Sequence, residues 1–231
     1  MTILREFADG AALAEAFADW SAQILRAAIA ARGMALLVVS GGSTPKLYFA
    51  ALSRRELDWS RVAVTLADER RVSDDSPRSN AKLVRETLLQ NHAAIAQFCP
   101  LADSRVAPEQ EVAAAAARVA HLPSPADLVV LGMGDDGHTA SWFPHAPGLT
   151  EAIDPASRAL VVAMEAPDGL EPRLTLTGRA LLRARALALQ IEGPNKAAVY
   201  ARALGEGPVE DMPIRAVLRG AADRLTVFRA A

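Results

Sequence analysis

Short, predominantly apolar runs recur along this chain at Ala35 to Val39, Val62 to Ala67, Leu128 to Leu131 and Ala186 to Ile191, with helical stretches between them. Runs of this length without polar alternation predict strands buried on both faces, the condition met in a parallel sheet. Phe98 to Leu101, Ala159 to Met164 and Leu225 to Phe228 add further strands, and Arg173 to Thr177 leads into Ala180 to Leu182. Strand and helix alternate almost from end to end. The chain therefore reads as α/β, a mostly parallel sheet with helices on both faces.

The helices announce themselves by periodicity and by their ends. Leu13, Phe17, Trp20 and Ile24 recur at helical spacing, with Asp9 as a cap before them and Gly33 past the end. Thr44 is the expected N-cap, and Pro45 the first residue, of a helix that carries Leu47, Tyr48, Ala51 and Leu52. Asn80 to Leu89, an alanine-rich stretch from Pro108 to before Pro123, Pro194 to Leu204 and Ile214 to Leu218 read as the remaining helices. No repeat or Gly/Ser-rich linker divides the 231 residues, so residues 1–231 are expected to form a single domain.

Composition narrows the function classes. A net charge of -2 supplies no basic field for nucleic acid and no polybasic membrane patch, which leaves room only for a local positive pocket. Cys99 is the one cysteine, so an intrachain disulfide is impossible and a reducing cytoplasm is the expected home. It is read as a small buried hydrophobe in a short strand. The start MTILREFADG lacks a basic-then-apolar signal pattern, and no segment approaches the roughly 20 apolar residues needed to cross a bilayer.

Polar loops follow four of the strands, and in open α/β sheets ligands bind beyond the carboxyl ends of strands. After Leu131 come Gly132, Gly134 and Gly137, which allow close backbone approach, interleaved with Asp135, Asp136 and His138. His138 is either a hydrogen-bonded structural histidine or a group placed for chemistry. After Val39 comes Ser40-Gly41-Gly42-Ser43-Thr44-Pro45, either a tight βα turn or an anion site at a helix start. After Ala67 come Asp68, Glu69, Arg70 and Arg71: Arg70 or Arg71 suits a phosphate, and Asp68 suits a sugar hydroxyl or the role of base. Asp74 and Asp75 read as solvent-facing. Lys196 lies in the first turn of its helix, where a cation opposes the helix dipole unless an anion joins it. A small phosphorylated metabolite fits this set. No dinucleotide fingerprint or Walker-type sequence is present, and His138 and His145 are poorly placed for zinc.

Taken together, SGGSTP at 40–45, ADERRV at 67–72 with Ser79-Asn80, LGMGDDGHTASWFP at 131–144, RLTLT at 173–177 and GPNK at 193–196 resemble the 6-phosphogluconolactonase family, within the glucosamine/galactosamine-6-phosphate isomerase superfamily. The resemblance spans most of the chain. It implies a Rossmann-like domain that hydrolyses 6-phospho-D-glucono-1,5-lactone in the oxidative pentose phosphate pathway without a metal or organic cofactor. His138 is then the base that activates water, with Asp136 orienting it. Backbone N–H groups of the 132–137 loop, Gly134 among them, are candidates for holding the oxyanion. Arg70, Lys196 and the turn at Gly41, Gly42, Ser43 and Thr44 would grip the phosphate, while Asp68, Asn80 and Arg173 would contact the sugar or complete the pocket. Trp142 and His145 stand where the family more often has leucine and glycine, and they bear on pocket shape.

Two rival readings use the same fold. An amino-sugar-phosphate isomerase/deaminase typically continues its Gly-His loop into Phe-Asn-Glu-Pro, whereas here Ser141-Trp142-Phe143-Pro144 lacks the glutamate. A non-catalytic sugar-phosphate-binding module would need no Asp136 or His138. The expected partner is a small sugar phosphate lactone, with no nucleic acid and no membrane, bound by a monomer or weak homo-oligomer.

Overall fold

A computed structural model describes residues 2–231, apart from the side chain of Asp168. In chain order its strands are β1 (Ile3–Phe7), β2 (Ala35–Val39), β3 (Val62–Leu66), β4 (Asp68–Arg70), β5 (Gln97–Cys99), β6 (Leu128–Leu131), β7 (Val161–Met164), β8 (Arg173–Leu176), β9 (Ala186–Glu192) and β10 (Leu225–Ala230). The helices are α1 (Gly10–Arg32), α2 (Lys46–Ser53), α3 (Asn80–Thr87), α4 (Glu111–Ala120), α5 (Leu149–Ile153), α6 (Gly178–Leu181), α7 (Pro194–Leu204) and α8 (Ile214–Gly220).

Seven strands form one parallel sheet in the order β1-β10-β9-β6-β2-β3-β5. Every residue of β2, β3 and β6 is buried, which requires cover on both faces and explains their apolar runs. From β2 the chain builds outward through β3 to β5, then returns to β2's other side with β6 and builds outward again. The strand order thus reverses between β2 and β6, the position at which open α/β sheets form a ligand crevice.

Three differences from the sequence reading bear on how the sheets and the cleft are built. β1 was not expected: it is an edge strand whose Ile3 and Leu4 are exposed, so it carries little apolar signal, and only Phe7 stacks inward on Phe228. Asp68 to Arg70 is not a loop but β4, part of a separate antiparallel sheet in the order β4-β8-β7. Ala67 joins the two sheets, since its N–H donates to Val39 at 2.8 Å and its carbonyl accepts from Leu176 at 2.8 Å. Thr44 does not cap α2, whose boundary residue is Pro45 and which has no side-chain cap, and Leu47 on that helix is exposed. Asp9 does cap α1, accepting from Ala12, and Gly33 closes it in the left-handed region at φ 81°.

Aromatic stacking fixes α1 on the sheet: the Phe17 ring lies 4.0 Å from Tyr48 and 4.1 Å from Phe228. At the amino ends of the central strands, Asp127 acts as a clamp. Its carboxylate accepts from the Leu36 N–H at 2.8 Å, meets the guanidinium of Arg32 at the end of α1, and lies 3.5 Å from Arg185 just before β9. Removing this buried acceptor leaves the Leu36 amide unpaired, while the two guanidiniums, both more than a third exposed, can turn to water. Asp127→Ala should therefore lower stability by about 1–3 kcal/mol in urea unfolding, without altering the opposite end of the sheet. A loss below about 0.5 kcal/mol, the range of an ordinary surface change, would show the clamp to be unimportant.

Candidate active site

The loops beyond β2, β3, β6 and β9 surround a cleft of about 440 Å³ at the point of strand reversal, and the small β4-β8-β7 sheet walls one side. Gly41, Gly42, Ser43, Thr44, Asp68, Arg70, Asn80, Gly134, Asp136, His138, Arg173 and Lys196 all line it. Among the described residues, no group of three or more His, Cys, Asp or Glu side chains is arranged to hold a metal ion.

The loop after β6 is folded tightly on itself. Gly134 N–H donates to the His138 carbonyl at 2.8 Å, Gly137 N–H to the Gly134 carbonyl at 3.1 Å, and Thr139 Oγ1 to the Gly132 carbonyl at 2.8 Å. Gly134 and Gly137 N–H groups are thus already engaged, so neither is free to hold an oxyanion in this arrangement. Gly134 serves differently: a Cβ there would overlap both the His138 ring and the Asp136 carboxylate. Its bareness lets these two groups meet. Asp136 Oδ1 lies 2.6 Å from His138 Nδ1 and accepts the His138 backbone N–H at 3.0 Å.

Burial alone would push the Asp136 carboxyl upward, but hydrogen bonds from the His138 ring and backbone outweigh it and hold the group below the usual aspartate range. An ionised carboxylate only accepts, so Nδ1 carries the proton, and it is in the neutral form of the imidazole that Nε2 keeps a lone pair. The ring edge rests against Phe143, with centroids 5.0 Å apart.

Along β4, buried carboxylates tie the neighbouring elements together. Asp68 Oδ2 accepts from Ser141 Oγ at 2.6 Å, and the Asp68 carbonyl accepts from Asn80 Nδ2 at 2.9 Å. Asn80 is wedged against Gly41, where a Cβ could not fit. Glu69 accepts backbone N–H groups of Arg70, Asn80 and Ala81 at 2.6, 2.8 and 2.7 Å, together with Ser79 Oγ at 3.1 Å. Burial raises its carboxyl despite these bonds. Glu69 was not singled out in the sequence, yet it ties β4 to the start of α3.

The cations gather around the same space. Arg70 and Arg173 face each other across the β4–β8 pairing, and burial followed by the charge of Arg70 lowers the Arg173 guanidinium. Arg70 Nη1 donates to the Arg78 carbonyl at 2.5 Å, whereas its Nε is buried without a partner. Arg71 turns away to Glu111 at 2.5 Å. Lys196 pairs with Asp135 at 2.9 Å.

Two residues expected to affect pocket shape do not line the cleft. Trp142 is wholly buried and donates to the Leu176 carbonyl at 3.0 Å, and His145 pairs with Asp211 at 3.0 Å on the surface. Phe143, Gln190 and Glu192, by contrast, line it without having been singled out. For Gln190 the signal was available: it is a lone amide near the end of the apolar run Ala186 to Ile191.

A family model for glucosamine-6-phosphate isomerases/6-phosphogluconolactonase matches residues 8–227. The chain belongs to this family. A 6-phosphogluconolactonase of Rhizobium meliloti (strain 1021) is 52% identical over 96% of this chain and 96% of the relative. One of Pseudomonas aeruginosa is 46% identical over 84% of this chain and 82% of its own length. The crystal structure of a 6-phosphogluconolactonase from Shewanella baltica OS155 superposes with a TM-score of 0.95 at 43% identity, covering 100% of this chain and 98% of that one.

The depressed Asp136 carboxyl gives the loop a pH signature. Because the folded value lies below the unfolded one, the unfolded chain takes up this proton first as pH falls. The contact's contribution to folding is fully present above the ordinary aspartate range near ~3.9 and is lost as pH falls through the lower folded value. A carbon-detected titration should show Asp136 titrating below that range, and Asp136→Asn should flatten this part of the acid-unfolding profile. An ordinary Asp136 titration would mean that the His138 contact is not maintained in solution.

Proposed function

We propose that this protein hydrolyses 6-phospho-D-glucono-1,5-lactone to 6-phospho-D-gluconate, the lactone-opening step of the oxidative pentose phosphate pathway. One observation carries the reading: His138, held through Nδ1 by Asp136 at 2.6 Å, opens onto a cleft that also contains Arg70, Arg173 and Lys196. A neutral imidazole suited to remove a proton from water therefore shares a small space with cations suited to a phosphate. The kinship of the chain with 6-phosphogluconolactonases supports the same substrate.

In the proposed reaction His138 Nε2 takes a proton from water as the oxygen adds to the lactone carbonyl carbon. Asp136 stabilises the imidazolium that results. As the tetrahedral intermediate collapses, the bond from the carbonyl carbon to the ring oxygen breaks, and the imidazolium returns its proton to that oxygen. One water is consumed, and the histidine ends as it began. Arg70, Lys196 and the Gly41-Gly42-Ser43-Thr44 turn hold the 6-phosphate. Asp68 and Arg173 face the sugar, while Asn80, its amide donating to the Asp68 carbonyl, keeps that wall in place.

Two repelling guanidiniums across one strand pair are costly on their own, and a phosphate dianion between or beside them would offset the cost. The whole chain acts as a single lactonase domain in the cytoplasm, as a monomer or weak homo-oligomer, on a small sugar phosphate alone.

The direct test is acceleration of lactone opening over a protein-free control, since such lactones also open unaided. His138→Ala should lower kcat by about 10²–10⁴-fold. Activity near wild type would remove the base assignment, and ammonia release from glucosamine 6-phosphate without lactone opening would overturn the reading as a whole. Arg70→Ala should raise KM by about 10–100-fold with kcat changed far less. An unchanged KM would put the phosphate elsewhere.

A further inference from the structure

Among the described residues, three of the four buried side-chain polar atoms that lack a hydrogen-bond partner belong to residues lining the cleft: Ser40 Oγ, Arg70 Nε and Gln190 Oε1. The fourth, Glu171 Oε1, sits against the Arg78 guanidinium. Buried polar groups in native proteins are paired in the great majority, so several unpaired ones around one cleft are groups a bound molecule can satisfy. Arg70 is accounted for by the phosphate. Gln190 is not.

Gln190 is 97% buried in β9, and its amide is held from one end only. Nε2 donates to Glu192 Oε1 at 2.8 Å and reaches the Thr44 carbonyl at 3.4 Å. Both partners are acceptors, so the amide cannot be turned over without setting oxygen against oxygen. Glu192 is itself fixed. Its Oε2 would lie 2.6 Å from a Cβ on Gly10, so the glycine at the start of α1 leaves room for the carboxylate, whose charge suits that helix end. The chain Gly10, Glu192, Gln190 therefore leaves one atom unspent, the Gln190 carbonyl oxygen, a pure acceptor.

An acceptor in a phosphosugar cleft calls for a hydroxyl donor. We infer that Gln190 is a specificity-determining residue whose amide oxygen accepts a hydrogen bond from a ring hydroxyl of the substrate. This rests on the lactone reading above and adds to it a means of selecting hydroxylated rings. Gln190 touches no reacting atom in this proposal. It discriminates because a substrate lacking that hydroxyl leaves the buried acceptor unsatisfied in the complex.

The experiment compares kcat/KM on 6-phosphogluconolactone with that on its 2-, 3- and 4-deoxy analogues, for the wild-type protein and for Gln190→Met, which keeps the length of the side chain without the amide. With wild type, loss of one hydroxyl should reduce kcat/KM at least about tenfold. Gln190→Met should show a loss of similar size on the parent lactone, and less than about threefold on that one analogue, because the interaction is already absent there. An equal loss on every lactone would assign Gln190 a merely structural part and overturn the inference. Should Gln190→Met not fold, the wild-type profile alone decides: no deoxy position costing more than about threefold overturns it. Failure of wild type to accelerate the parent lactone overturns both this and the lactone reading, whereas acceleration with a flat deoxy profile overturns this one alone.

Discussion

Because the chain leaves β2 toward one edge of the sheet and leaves β6 toward the other, the loops beyond these neighbouring strands diverge and cannot close the gap between them. Everything at the candidate site follows from that parting. The Gly41-Gly42 turn and the Gly132–Gly137 loop stand as two banks, and the cleft between them is bounded elsewhere by the end of β3 and by β9. The reversal is in turn fixed by strands whose every side chain is buried, so that a shifted register would bring polar loop residues into the core.

The central sheet was legible in the sequence where burial is complete. Ala35–Val39 and Leu128–Leu131 were bounded to the residue, because a strand covered on both faces must be apolar throughout, and Ser40 and Gly132 mark where each run turns. Pro194–Leu204 was equally clear, with a proline opening the helix. Legibility failed where local chemistry and tertiary context part company. β1 has a half-polar sequence because it lies at an edge, and its pairing with β10 is invisible locally. Asp68 to Arg70 reads as a charged loop because a polar cleft and a buried carboxylate network, not an apolar core, hold that strand in place.

The residues around the cleft show the same division. Those in glycine-rich or charged stretches, His138, Asp136, Arg70 and Lys196 among them, could be listed from the sequence, and they lie around one cavity. That Asp136 touches His138 could not be read from a spacing of two residues; it depends on Gly134 having no side chain. Glu69, Ser141 and Gln190 escaped notice because each acts through a partner distant in sequence or through an atom left unpaired, and neither property is local.

The ion pair between Lys196 and Asp135 gives the cleft an electrical character of its own. Asp135 is largely exposed while the lysine is mostly shielded, so the ammonium rests beside a tethered, water-facing counter-ion. On the proposed phosphate grip, an incoming dianion would not meet a bare cation but would displace or share with a carboxylate already there. Dissolved salt weakens the incumbent and the newcomer alike. The two effects oppose each other in the net exchange, and the attraction of this cleft for its ligand is buffered against ionic strength in a way that an uncompensated lysine would not be.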